Sequence, residues 1–136
     1  MADTFQLEVA TPERLLVDEQ VTEAEIPGKD GYMGILAGHA PLLSALAPGL
    51  LTYGTGGSKQ VLVVDGGFVE VFENHVRVLA DHAEPASEVQ ADAARRQLDE
   101  ANKALREAQD EQSSNAALNQ LQQAQARLDA VGNRTH

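Results

Sequence analysis

The chain contains no cysteine and no tryptophan, and only 4% of its residues are aromatic. Without cysteine, disulfides and thiolate chemistry are excluded, and a reducing compartment fits. A core must be built from Val, Leu, Ile and Ala, which a hydrophobic content of 43% supplies. Positive charge is also scarce: 10 Lys and Arg stand against 21 Asp and Glu, a formal charge of -11. Nucleic-acid binding needs clustered cations that displace counterions, so it is excluded as a general function. The shortage holds on both sides of Ala83, with 4 basic and 12 acidic residues up to it and 6 and 9 beyond it.

From Gly31 to Ser58 there is no Asp, Glu, Lys or Arg. Pro41, Pro48 and the six glycines that follow Gly31 in this span forbid a membrane-crossing helix, because lipid cannot solvate a broken backbone. The stretch is expected to be buried β-structure. The N-terminus MADTFQLEV shows no basic region followed by an apolar run, so no export signal is expected. Membrane association, if the protein has it, must run through a partner.

What the chain does contain falls into two grammars. At 136 residues there is room for one compact domain or a small domain with an appendage. All glycines but Gly132 lie at or before Gly67. In that part Phe5, Leu7 and Val9 alternate with polar residues, and Val61 to Val64, Phe68 to Phe72 and His75 to Leu79 form further Val-rich runs. Short strands with regular turn residues predict an antiparallel sandwich or barrel. Glu73-Asn74 reads as a tight hairpin, because Asn tolerates left-handed backbone, and Gly54 to Ser58 as another turn. Gly28, Gly31, Gly34 and Gly38 shape a constrained turn, and Pro41 suits only an edge, turn or bulge.

Beyond Glu84 the period is helical. Ser87-Glu-Val-Gln90 matches a capping box with Ser87 as N-cap. Ala94, Leu98, Ala101, Leu105 and Ala108 form one stripe, with Asp92/Arg96 and Asp99/Lys103 as exposed i,i+4 pairs. Ser113 or Ser114 is expected to start a second helix carrying Leu118, Leu121, Ala124, Leu128 and Val131, with Gly132 just past its end. The predicted architecture is α+β in two parts: an N-terminal antiparallel β-sandwich at 1–84, a linker at 85–87, and a C-terminal antiparallel two-helix hairpin at 88–136. The hairpin has five leucines and is otherwise largely alanine on its apolar side, so it is expected to be marginal alone and to change partners easily.

No catalytic or metal-binding constellation is present in the sequence. The four histidines lack ligand spacing, Ser44 and Ser58 lack a nucleophile-elbow context, and no phosphate loop or dinucleotide fingerprint occurs. His39 reads as a packed or hydrogen-bonded turn residue, and Arg95-Arg96 as a solvated helix face.

Three segments in this order and spacing carry a resemblance: Pro27-Gly-Lys-Asp-Gly-Tyr-Met-Gly-Ile-Leu-Ala-Gly-His-Ala-Pro-Leu-Leu43, Gly66-Gly-Phe-Val-Glu-Val71, and Val76-Arg-Val-Leu-Ala-Asp-His-Ala-Glu84. They resemble the epsilon subunit of the F-type rotary ATP synthase. The resemblance implies a non-catalytic central-stalk subunit that binds the gamma subunit and the membrane c-ring, coupling ring rotation to ATP synthesis. By position it places the ring contact on Lys29, Asp30, Gly31 and Tyr32 and an adjoining rotor contact on His39. Tyr32 reads either as an interface anchor or as a solvent-covered strand residue.

The resemblance further implies helices that fold on the sandwich or extend toward the alpha/beta catalytic head and restrain hydrolysis. Some relatives bind ATP there. Here Gln90 and Ala93 replace an acid and an arginine of that motif, leaving Glu84, Asp92, Arg95 and Arg127 as a weak candidate site. No cofactor is expected; a nucleotide-sensing module is the alternative reading. The implied location is peripheral, at the cytoplasmic face of a bacterial inner membrane or its organelle equivalent.

Overall fold

The computed structural model describes residues 3–133; Arg134 and His136 lie outside this range. Eight strands come first: β1 (Phe5–Ala10), β2 (Leu15–Val21), β3 (Glu23–Gly28), β4 (Gly31–Leu36), β5 (Leu42–Ala45), β6 (Gly49–Thr55), β7 (Ser58–Phe72) and β8 (His75–Pro85). A short 3-10 turn, Ala86–Glu88, leads to α1 (Ala91–Glu107) and α2 (Glu111–Asn133). Among the described residues no helix is long and apolar enough to cross a membrane.

Period-two alternation sets which side chains enter the core. β1 buries Phe5, Leu7 and Val9, β7 buries Val69 and Val71, and β8 buries Val76, Val78 and Ala80. Glu73 and Asn74 adopt φ of 44° and 59°, the left-handed pair that a two-residue hairpin requires, and Gly56-Gly57 do the same between β6 and β7.

The Val61–Val64 and Phe68–Phe72 runs belong to one strand of 15 residues, β7. Its first half pairs with β6 and its second half with β5, while β8 accompanies it from Leu62 to Phe72. The change of layer occurs at Gly66 and Gly67, with φ of 68° and 97°. A methyl group on Gly67 would lie 1.9 Å from the Leu79 carbonyl oxygen, so only glycine lets β7 bend this close to β8. One layer therefore runs β2-β1-β8-β7-β5 and the other β8-β7-β6-β3-β4, and their inner faces share one core. This is the expected sandwich, with one departure: β1 pairs parallel to β8.

A second, smaller apolar cluster lies outside the sandwich. Leu50, Val61 and Val63 project from the second layer's outer face and meet Ala126, Ala130 and Val131 of α2, with Ala86 and Val89 from the connection. α2 packs on the sandwich, and α1 packs on α2. The seam between the helices is made of buried Ala94, Ala101, Ala117 and Ala124, flanked by half-buried Leu98, Leu105, Leu121 and Leu128.

Several local expectations are corrected. The capping box does not form: Val89 is buried in the second cluster with extended backbone, so α1 starts at Ala91, and its N-cap Gln90 makes no side-chain cap. α2 begins at Glu111, ahead of Ser113, because the Asp110 carboxylate accepts the Ser113 amide (2.7 Å) and hydroxyl (2.7 Å). Those two hydrogen bonds hold Asp110 below the usual carboxylate range. Gly132 lies inside α2 rather than beyond it. Leu118 is exposed and Ala117 takes its place in the seam. Asp92 pairs with Arg95 at 3.4 Å, one turn position short of Arg96, while Asp99 and Lys103 form no ion pair among the described residues.

The uncharged stretch after Gly31 is β-structure but is not uniformly buried. Tyr32, Leu36 and Leu43 are exposed, because edge strand β4 and short β5 each have one uncovered face.

Gly67→Ala combines a forbidden φ with a backbone collision. It should destabilise the protein well beyond the ~1–2 kcal/mol expected for Gly56→Ala, whose methyl would meet open space. Urea unfolding midpoints of the two variants check this.

Candidate functional site

The residues expected at the ring contact occupy one end of β4. Lys29 and Asp30 form the exposed tip of the β3–β4 turn, and Gly31 has φ of 133°. The tip is braced by the Lys29 amide, which donates to the Ala45 carbonyl at 2.9 Å. Tyr32 follows, paired with Pro27, and its hydroxyl reaches across β3 to accept the Leu50 amide of β6 at 3.1 Å. Gly49 makes this possible, since a methyl there would stand 2.7 Å from the Tyr32 hydroxyl. Tyr32 is thus fixed at one end yet 57% exposed, a rigid amphipathic group. His39 is not with them. It lies past the far end of β4, half-buried, with Nδ1 2.7 Å from the Ala40 carbonyl, beside a Gly38 amide that donates to Asn74 Oδ1.

A larger surface was not singled out by the sequence reading. On the first layer's outer face, cross-strand neighbours Leu15, Ala10, Leu79, Phe68 and Ala45 form a row over five strands. Leu43, Phe68 and Leu79 are 70%, 58% and 54% exposed. The adjacent row is charged: Glu8 pairs with Arg77 (3.2 Å), and Arg77 approaches Glu70 at 4.0 Å. An apolar stripe bordered by paired charges is the composition of an interface core and its rim. Its sequence signal was available: Phe68 shares the outward parity of Glu70 and so is an apolar residue on a polar face.

The nucleotide-site candidates separate into two groups. Glu84 and Arg127 meet, with Nε 3.2 Å from Oε1. Asp92 and Arg95 pair with each other on the exposed side of α1. Neither belongs to the small hollow of about 170 Å3 between Glu84, Gln90, Ala93 and Arg127.

On the other side of Arg127 lies an open cleft of about 500 Å3, lined by Arg14, Asp65, His82, Glu84, Gln123 and Arg127 among others. Burial pushes the Asp65 carboxyl above its ordinary value, and nearby Asp81 adds to this, while His82 and Arg127 oppose it. No group of three or more His, Cys, Asp or Glu residues suited to a metal occurs among the described residues.

Residues 4–86, the strands and their exit, match the family model described as ATP synthase, Delta/Epsilon chain, beta-sandwich domain. The ATP synthase epsilon chain of Nitratidesulfovibrio vulgaris (strain DP4) is 40% identical over 133 residues, covering 98% of this chain and 99% of the relative. That of Solibacter usitatus (strain Ellin6076) is 58% identical over 99 residues, covering 73% and 74%. The chain belongs to the ATP synthase epsilon chain family.

The likeness of this epsilon chain extends to its three-dimensional form. A chain in the structure of the Euglena gracilis mitochondrial ATP synthase, OSCP/F1/c-ring, superposes with a TM-score of 0.80 and 26% identity, covering 98% of this chain and 82% of that one. A chain of the Tetrahymena thermophila central stalk/c-ring structure, at 15% identity, shares the fold with a TM-score of 0.71 over 92% and 94%.

Folded Asp65 holds its proton more tightly than an unfolded Asp, so its ionisation opposes folding. That penalty is absent in acid and grows as pH rises through the ordinary Asp range to the higher folded value. Asp65→Asn should therefore raise Tm at neutral pH, with the gain shrinking on acidification. Thermal scans across that range test this; a gain independent of pH would contradict burial as the main cause.

Proposed function

We propose that this epsilon chain is a non-catalytic rotor subunit that couples proton-driven rotation of the c-ring to ATP synthesis through the gamma subunit. The observation that carries the reading is the exposed apolar patch of Leu43, Phe68 and Leu79 on the sandwich face opposite the hairpin. The patch offers gamma an apolar grip of three side chains that the fold itself does not use. The tip formed by Lys29, Asp30, Gly31 and Tyr32 faces the ring loops, with His39 as a separate rotor contact at the far end of β4. A stiff two-layer block suits torque transfer, because close-packed cores transmit strain without yielding.

In this reading residues 1–84 are the rotor-binding unit, 85–87 the joint and 88–136 a regulatory hairpin that can reach the alpha/beta head and restrain hydrolysis. The protein is peripheral, held through the complex at the cytoplasmic face of a bacterial inner membrane; the bacterial source of its relatives supports this. The divergence of Asp92 and Arg95 from Arg127 argues against an ATP sensor as the main role.

Phe68→Asp should leave the sandwich folded, since the side chain is exposed, and should weaken association with gamma by roughly thirtyfold, about 2 kcal/mol for a central anchor. Titration of gamma monitored by calorimetry measures this, and unchanged affinity would sink the grip assigned to that face. Truncation after Glu84 should retain assembly and raise ATP hydrolysis by the complex. Unchanged hydrolysis would leave the hairpin without an inhibitory role.

A further inference from the structure

Asp-Gly occurs twice in the chain, at Asp30-Gly31 and Asp65-Gly66, and Asn-Gly does not occur. Such a pair carries its own chemistry. The glycine nitrogen can attack the aspartyl side-chain carbon and close a five-membered imide, because glycine puts no side chain in the way. In a folded protein the rate depends on whether the peptide between the two residues can rotate onto that carbon. The two pairs differ sharply in this respect.

Asp65-Gly66 lies inside β7. Asp65 stands opposite His82, and the flanking ladder positions, Val64 with Ala83 and Gly67 with Ala80, clamp the peptide to β8. Gly66 has φ of 68°, and the Asp81 side chain fills the space beside it. Burial keeps the Asp65 carboxyl protonated to higher pH, and the protonated acid is the form that cyclises. Its acidity therefore favours reaction, but its backbone is held still. Such a clamped peptide moves only when the strand opens locally.

Asp30-Gly31 has the reverse setting. Asp30 is an exposed residue of the β3–β4 turn, outside the ladder, and enters no hydrogen bond or ion pair among the described residues. Gly31 opens edge strand β4 and pairs on one side only, with Gly28. A methyl group on Gly31 would meet nothing within 4 Å, so the peptide has room to swing and water has room to enter. The brace from the Lys29 amide to the Ala45 carbonyl holds the residue before the reacting peptide. Asn74, the exposed amide of the other hairpin, is no rival: His75 follows it, and its Oδ1 accepts the Gly38 amide.

We propose that Asp30-Gly31 is a self-modifying site, at which the folded chain converts aspartate to isoaspartate. The Gly31 nitrogen bonds to Asp30 Cγ, and the nitrogen's proton leaves with the carboxyl hydroxyl as water. A second water then cleaves the imide bond between the Asp30 main-chain carbonyl carbon and the Gly31 nitrogen. The chain now runs through the Asp30 side chain, one carbon longer, and the freed main-chain carboxylate carries the negative charge. Nothing is oxidised or reduced. The product is a substrate for isoaspartyl methyltransferases, which methylate that carboxylate with S-adenosylmethionine. The proposal rests on backbone freedom alone and does not depend on the rotor reading.

The test incubates the full-length chain at neutral pH and follows isoaspartate with a protein isoaspartyl methyltransferase and tritiated S-adenosylmethionine. Peptide mapping by electron-transfer fragmentation, which yields ions unique to the longer backbone, assigns each position. Isoaspartate should form at Asp30 at least about tenfold faster than at Asp65. In urea the two pairs share one chemistry without the fold, so the gap should close. Asp30→Glu should remove the rapid labelling, because the longer side chain closes a six-membered ring slowly; Asp30→Asn should hasten it. Amide exchange of β3 and β6 confirms that each variant keeps its sandwich. Equal rates at the two sites in the folded chain, a gap that persists in urea, or labelling unchanged by Asp30→Glu would each overturn the assignment.

Discussion

The bend of β7 at Gly66-Gly67 is the constraint on which the rest of this molecule depends. Two successive residues with positive φ turn a long strand from one layer into the other without breaking its pairing with β8. The bend is possible only because no side chain stands between Gly67 and the Leu79 carbonyl. From it follow the closed sandwich, the shared core, and two outer faces that point in different directions. Val63 and Phe68 lie on the same strand, yet the first serves the hairpin and the second stays open to solvent. One strand thus supplies both the seat of the hairpin and the exposed apolar face.

The sandwich core and the contact beneath the hairpin differ in the apolar area they bury. The inner core is built from Leu, Ile, Val and Phe at nearly zero exposure, so loss of one large side chain there would cost about 2–5 kcal/mol. The hairpin, in contrast, rests on small methyl groups and a few polar contacts around Arg127. Alanine in the α1–α2 seam lets the helices approach closely but removes little apolar area from water. A densely packed body and an appendage seated on small side chains therefore arise from the choice of side chain.

Much of this architecture was legible in the residues. The alternation of Phe5, Leu7 and Val9, the left-handed pair Glu73-Asn74 and the alanine–leucine stripe of α1 each carry their own local physics, so they read correctly in isolation. The start of α1 did not, because Val89 is drawn into an apolar cluster assembled from β6, β7 and α2, and that burial overrides the capping box at Ser87. The four residues of the β3–β4 tip were readable as a unit, being adjacent in sequence. His39, expected to adjoin them, could not be placed at the opposite end without knowing that β4 (Gly31–Leu36) lies between.

By itself the sequence determined the two-part plan, the turn positions and the family, because period, φ preference and a contiguous motif are properties of neighbouring residues. Only the tertiary structure decided which face of the sandwich is covered. It also decided that Phe68 and Leu79 stand opposite each other with Leu43 close by, and that Arg127 meets Glu84 rather than Asp92 or Arg95. These are pairings between residues far apart in the chain, set by sheet register and by the bend at Gly66-Gly67. No local pattern can specify them, since a side chain's parity says only that it points outward, and the fold determines what lies there.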